Sequence, residues 1–215
     1  MTNGTQSLKQ QFDTLVGLGM ITYEPKEYVS RNLNQNIELR PYQENAVSCF
    51  EYYFNGFPQK KNPTHLLFHM ATGSGKTILM AANILYLYDQ GYRNIIFFVN
   101  STNIIEKTKF NFLAKDKSKY LFRQKIIFNH NEVQVSEVKN FEGANPDDIN
   151  ILFTTIQGLH IRLRNPSENT ITFEELANTK LVLLSDEAHH INTMTQANPG
   201  ATEEELEKRW ERTVQ

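Results

Sequence analysis

Apolar residues recur along this chain with two different periods, and the switch between them outlines the fold. Near the start, Leu8, Phe12, Leu15 and Val16 fall on one side of a helix over 5–16, which Gly17 and Gly19 stop. Residues 20–38 contain Pro25 and an Asn-rich stretch at 32–36, and they read as irregular connection. A second helix begins after Pro41, a residue suited to the first helical position. Its buried stripe is Ala46, Val47, Phe50, Tyr53 and Phe54, with Cys49 packed beside it.

From His65 onward, short apolar runs alternate with helical segments. Strands are expected at 65–70 (HLLFHM), 94–99 (NIIFFV), 149–153 and 181–185 (LVLLS). Helices are expected at 76–89, at 102–113 and after the 149–153 strand. Two weaker strands fall at 125–128 and 132–138, the second alternating as a half-exposed strand does. Runs that are apolar throughout, interleaved with helices, predict an α/β fold: a mostly parallel sheet with helices on both faces. Ligands of such sheets bind at the carboxyl ends of the strands. A last helix is expected over 202–214, where Thr202 and Glu205 have capping-box spacing and Leu206, Trp210 and Val214 share a face.

Composition narrows the class. The 215 residues suffice for one ordinary domain or one with a small appendage. Lys and Arg total 22 against 24 Asp and Glu, so a bulk basic footprint for nucleic acid is missing, although a local patch is allowed. The densest basic stretch is Lys107, Lys109, Lys115, Lys117, Lys119, Arg123 and Lys125. It reads either as the flank of a nucleic-acid backbone groove or as a solvated loop at 115–119. A lone cysteine rules out an intramolecular disulfide framework. No apolar run approaches the roughly 18 residues that cross a bilayer, and the N-terminus lacks a signal-type apolar stretch. The expectation is a cytoplasmic protein without a membrane partner.

The sharpest chemical signal follows the 65–70 run: Ala71-Thr72-Gly73-Ser74-Gly75-Lys76-Thr77. Met70 stands where the usual pattern has its first glycine, but the chemistry does not need that glycine. Gly73 and Gly75 let backbone amides curl around an anion, with Thr72 and Ser74 between and beside them. A helix starting at Lys76 adds its positive end. The Lys76 ammonium can reach terminal phosphates, and the Thr77 hydroxyl can hold Mg²⁺. An ordinary Gly-Ser turn is the plain alternative. It does not call for Lys-Thr followed by the apolar helix ILMAANILYLY.

A nucleotide hydrolase also needs an acid on the metal and a second acid to orient water. Asp186 and Glu187 stand together after LVLLS, and His189 and His190 follow. Asp186 is expected on Mg²⁺ and Glu187 on the attacking water. The alternative is an acidic strand end entering solvent. Adjacent histidines point apart, so His189 is read as a coupling residue rather than a metal ligand.

Together these motifs resemble superfamily 2 helicases and translocases of the DEAH-box-like kind, specifically their first RecA-like domain, over roughly residues 38–191. Leu39-Arg40-Pro41-Tyr42-Gln43 is similar to the upstream motif whose glutamine reads adenine, which implies that role for Gln43, with Arg40 beside it. Phe98-Val99-Asn100-Ser101-Thr102 resembles motif Ia, and Thr154-Thr155-Ile156-Gln157 a later strand-end motif. The resemblance implies that Asn100, Ser101, Thr102, Thr154, Thr155 and Gln157 touch the phosphates of one DNA strand. Read without it, Ser and Thr at strand ends are helix caps.

TTIQ ahead of DEAH is similar to the motor subunits of restriction enzymes, and the short stretch before Gln43 points to type III rather than type I. That resemblance implies Mg²⁺ and ATP as cofactors, DNA as partner, and a methyltransferase subunit that chooses the site. It divides the chain into an extension at 1–37 and a RecA-like domain at 38–215. It also implies that the remainder of a longer polypeptide carries the second RecA-like domain and the nuclease, and that the isolated fragment hydrolyses ATP weakly. Other readings are a helicase of another superfamily 2 branch, or a nucleotide-binding adaptor without turnover. A small-molecule kinase is disfavoured, because it does not need the DEAH and TTIQ strand ends.

Overall fold

The computed structural model describes residues 7–22, 24–99 and 101–186. In chain order the helices are α1 (Leu8–Gly17), α2 (Glu27–Asn32), α3 (Pro41–Gly56), α4 (Lys76–Asp89), α5 (Thr102–Leu113), α6 (Ile156–Arg164) and α7 (Phe173–Asn178). The strands are β1 (Asn94–Phe98), β2 (Ile126–Phe128), β3 (Asn131–Val133), β4 (Val135–Glu137), β5 (Ile149–Thr154) and β6 (Leu181–Ser185). The chain forms two compact units that meet in sequence between Tyr86 and Leu87, inside α4. No helix among the described residues is long and apolar enough to cross a membrane.

In the first unit, α1 is capped as its sequence demands. The Ser7 hydroxyl accepts the Gln10 N–H at 3.3 Å, and the Gln10 side chain accepts the Ser7 N–H at 2.8 Å. Its stripe of Leu8, Leu15 and Val16 packs around Phe12, Ile21 and Tyr53, with Tyr52 and Phe57 beside them. The 20–38 connection is less irregular than expected, because it contains the short helix α2. That helix has no side-chain cap. It is held instead by burial of Val29 and Asn32, which no helical period in six residues could reveal. Pro41 opens α3 as anticipated.

The expected strand over 65–70 is a correction. The segment is extended, and Thr64, Leu66, Phe68 and Met70 are half-buried while His65, Leu67 and His69 are exposed. Among the described residues no strand pairs with it, so its backbone belongs to no ladder. Phe68 still packs against Phe50 at 5.9 Å, and Phe50 against Tyr86 at 5.5 Å. Burial of alternate side chains keeps the segment straight where hydrogen bonds would otherwise do so.

The second unit carries the α/β sheet. Its order is β4-β5-β1-β6, and all three pairings are parallel. Helices lie on both faces. Ile96, Phe98 and Leu152 pack with Leu159 and Leu163 of α6 and with Phe141 and Ile171. The opposite face presents Phe97 and Phe153 to Phe112 of α5, at 5.1 and 6.1 Å between ring centroids. Alternate residues of one strand therefore fill two cores, which is why NIIFF reads as apolar throughout.

The expected 132–138 strand divides in two. Asn131–Val133 pairs antiparallel with β2, whereas Val135–Glu137 joins β5 in the main sheet. Asn129 and His130 adopt φ of 48° and 67° and make the tight turn of that hairpin. Helix α7 was not anticipated, although Thr172 and Glu175 form a capping box. The helix expected at 202–214 lies outside the described residues.

Candidate nucleotide and nucleic-acid site

Two glycines shape the loop at 71–75 in the first unit. Gly73 has φ +76° and Gly75 φ +83°, a region that residues with a Cβ rarely occupy. Between them Ser74 closes a turn, its N–H and hydroxyl both donating to the Ala71 carbonyl at 3.2 and 2.6 Å. A Cβ on Gly73 would meet nothing within 4 Å, so that glycine answers to backbone conformation alone and the mouth of the loop is open. Ala71, Thr72 and Gly73 are exposed, whereas Lys76 and Thr77 in the first turn of α4 are half-buried. The Gly75 carbonyl starts that helix by accepting from Ile78 and Leu79 at 3.0 and 3.2 Å. Left-handed glycines ahead of a 14-residue helix make a backbone nest with a helix-dipole behind it, which suits an anion. Behind the loop, α4 is buried nearly all round through Leu79, Ala81, Ala82, Ile84, Leu85 and Tyr86.

The first turn of α3 holds the loop from beneath. Gln43 is 2% exposed and uses both ends of its amide. Its Oε1 accepts the Arg40 N–H at 2.9 Å. Its Nε2 donates to the Ser74 carbonyl at 3.0 Å and to the Gly75 carbonyl at 3.4 Å. The Tyr42 hydroxyl donates to the same Ser74 oxygen at 2.8 Å and accepts from the Arg40 guanidinium at 3.1 Å. A Cβ on Gly75 would stand 2.4 Å from Gln43 Nε2. Gly75 is therefore required twice, once for its φ and once for the close approach. Arg40 and Gln43 were anticipated at the site, but Tyr42 was not. Its only sequence signal is its place beside Gln43.

In the second unit, three strands end level. Phe98 lies opposite Thr154 on one side and Ser185 on the other. The ladder runs one residue further, with Val99 N–H donating to Thr154 O at 3.0 Å and Asp186 N–H to Phe98 O at 3.3 Å. Thr154 thus closes β5, and Ser101, Thr155 and Asp186 follow the three neighbouring parallel strands at their carboxyl ends. Thr154 is buried, and its hydroxyl donates to the Thr155 carbonyl at 3.1 Å. The Thr155 hydroxyl caps α6 by accepting the Gly158 N–H at 2.9 Å. The Ser101 side chain makes no capping bond to α5. Thr102 and Gln157 are exposed in the first turns of α5 and α6. Asp186 is half-buried at the end of β6, with one carboxylate oxygen shielded from solvent. Asn100, Glu187 and His189 lie outside the described residues.

Residues 36–213 match the family described as "Type III restriction enzyme, res subunit". The chain is also 42% identical over 176 residues to the "Probable type III restriction-modification enzyme HindVIP Res subunit" of Haemophilus influenzae. That alignment covers 79% of this chain and 34% of the relative, so the chain spans about a third of the relative's length. No solved structure matches.

Proposed function

The chain belongs to the type III restriction enzyme Res subunit family and is a helicase-like domain of it, and on that premise we propose that it binds Mg-ATP at the 71–77 loop and holds the DNA backbone at the strand ends. The observation that carries the reading is the loop itself: two left-handed glycines at the start of α4, held from beneath by Gln43 and Tyr42. Gln43 accounts for Gly75, but among the described residues nothing lies within 4 Å of a Cβ at Gly73, whose left-handed φ faces open space at the mouth of the loop. A triphosphate would occupy that space.

In this reading the 72–77 backbone and the Lys76 ammonium receive the phosphates. Arg40 and Gln43 sit where the base would approach the loop. Thr77, beside the loop, would offer its hydroxyl to Mg²⁺, and Asp186 is the acid that the family's motif assigns to the ion, which when bound supplies positive charge. Glu187 orients the attacking water and His189 couples the nucleotide to the DNA side. Ser101, Thr102 and Gln157 offer polar groups at the strand ends to successive phosphates, with Asn100 between β1 and α5. Thr154 and Thr155 shape the same edge, and the Thr155 hydroxyl is already spent on its helix. Such contacts position a strand without reading its sequence. The choice of DNA site then falls to a methyltransferase partner, and vigorous turnover to the complete polypeptide.

ATP hydrolysis measured with and without DNA, on this chain and on the complete polypeptide, tests the reading. We expect weak turnover here and DNA-stimulated turnover in the complete protein. Absence of stimulation there would refute the translocase assignment and leave a nucleotide-binding adaptor. Lys76→Ala should weaken ATP binding by about 10- to 150-fold, the range of one lost charged hydrogen bond of 1.5–3 kcal/mol, with the circular dichroism unchanged.

A further inference from the structure

Helix α5 and the turn after it frame an open concavity. Its volume is about 390 Å³, and it is lined by Glu106, Lys107, Phe110, Asn111, Lys117, Ser118 and Lys119. Helical spacing puts Lys107 next to both Phe110 and Asn111, so an ammonium and a ring share one face of α5. Phe110 is 42% exposed, unusual for so large an apolar ring.

The opposite wall is a built turn rather than a loose loop. Lys117 N–H donates to Ala114 O at 3.0 Å, and Tyr120 N–H to Lys117 O at 3.1 Å. Leu121 N–H then returns to Asn111 O of the helix at 2.9 Å. Tyr120 and Phe122 anchor the turn in the core, 1% and 0% exposed, their rings 5.8 Å apart. The turn thus sets Lys117 and Lys119 in the wall that faces Lys107, with all three side chains exposed.

Charge in the pocket favours an anion. Among its lining residues Lys107, Lys117 and Lys119 face a single acid, Glu106. Glu106 is itself engaged by Lys109 at 3.1 Å, and Lys109 also meets Glu137 at 2.7 Å. Lys117 shares Asp116 at 3.2 Å, a solvent-exposed pair that an incoming phosphate can outbid at little cost. An exposed aromatic face flanked by ammonium groups suits a base and its phosphates better than it suits either alone. The volume is in the range of small-ligand sites.

We propose that this pocket receives one nucleotide of a single-stranded nucleic acid, its base stacked on Phe110 and its phosphates among Lys107, Lys117 and Lys119. The proposal rests on the nucleic-acid reading of the strand ends. It extends that track along α5, because Thr102 and Phe110 lie about 12 Å apart at 1.5 Å per residue.

Fluorescence anisotropy on the full 215-residue chain tests it, with a short labelled oligothymidylate and an abasic phosphodiester of the same length. Phe110→Leu should weaken oligothymidylate by about 5- to 100-fold, the scale of one lost base stack, and leave the abasic strand unaffected. Phe110→Tyr should restore binding. Lys107→Ala with Lys119→Ala should weaken both probes and flatten the logarithmic salt slope by about 1.4, at 0.7 per lost phosphate contact. Equal binding of oligothymidylate by wild type and Phe110→Leu overturns the pocket while leaving the strand-end reading intact. No binding of either probe by wild type overturns both. Poly-glutamate bound with the same dependence on Phe110 would overturn the nucleotide assignment in favour of an acidic peptide.

Discussion

The Gln43 side-chain amide donates to the main-chain carbonyl of Ser74 at 3.0 Å, so the first turn of α3 and the 71–75 loop are one hydrogen-bonded unit. The same amide cannot read adenine with the hydrogens it spends on Ser74 and Gly75. A base that recruits it must release the loop. Gln43→Ala should therefore both loosen the loop and weaken adenine-nucleotide binding. Loss of a buried donor costs about 1–3 kcal/mol. At about 2–4 °C per kcal/mol for a chain of this size, a thermal melt resolves the change, and titration with ATP against GTP reports any lost base preference.

Gly75 and Gly73 should differ under the same substitution. Gly73→Ala meets open space and incurs only the left-handed penalty of about 1–2 kcal/mol. Gly75→Ala adds a Cβ 2.4 Å from Gln43 Nε2 and must displace that side chain. We expect Gly73→Ala to retain part of its nucleotide affinity and Gly75→Ala to lose it. A fluorescent ATP analogue titrated into both variants makes the comparison, and equal affinities would contradict it.

Glu187→Gln separates binding from chemistry. If Glu187 orients the attacking water as proposed, the amide would no longer polarise it in the complete polypeptide, while the 71–77 loop is untouched. ATP affinity should stay within about twofold, and hydrolysis should fall by at least about 10²-fold, the usual scale for removing an acid–base group. A variant that still turns over ATP at the wild-type rate would remove Glu187 from its assigned role.

Thr155 can be assigned by comparing two variants. Its hydroxyl accepts the Gly158 N–H, so Thr155→Ala should cost about 1 kcal/mol of stability, as lost N-caps do. Thr155→Ser keeps the oxygen and should be near neutral. If Thr155→Ala instead leaves the urea midpoint unchanged and only DNA affinity drops, the hydroxyl serves the strand rather than the helix.

Tyr120 introduces an alkaline limit. Burial pushes its phenol from the ordinary 10.0 up to about 12. The folded state then holds the proton more tightly than the unfolded chain does. That stabilisation is complete below about pH 10 and is lost as the pH rises towards 12. Urea midpoints taken from about pH 9 upward should fall across this window. They should fall less steeply in Tyr120→Phe, and identical slopes would show that the phenol is not the group responsible.

Some of this architecture is written in short stretches of chain. Ala71 to Thr77 is recognisable as a tight loop into a buried helix because left-handed glycines and an apolar helix leave local marks. Pro41 announces α3, and NIIFF announces a strand buried on both sides, because helix starts and two-faced burial leave marks within a few residues. Thr172 and Glu175 carried an equally local signal for α7 that the apolar pattern alone had not drawn out.

Other features depend on what a residue meets, and sequence distance hides that. HLLFHM has a strand's composition, yet it is an extended segment without a ladder among the described residues, since pairing depends on a neighbour and not on propensity. Residues 132–138 look like one strand but serve two sheets, because Gln134 separates a hairpin partner from a β5 partner. The linear chain alone determined the fold class, the left-handed glycine loop ahead of α4 and the order of its motifs, since those follow from periodicity and backbone conformation. Only tertiary structure decided that Gln43 and Tyr42 grip Ser74 and that Phe110 shares a pocket with three lysines, because those facts are distances between parts of the chain far apart in sequence or turned towards one another by packing.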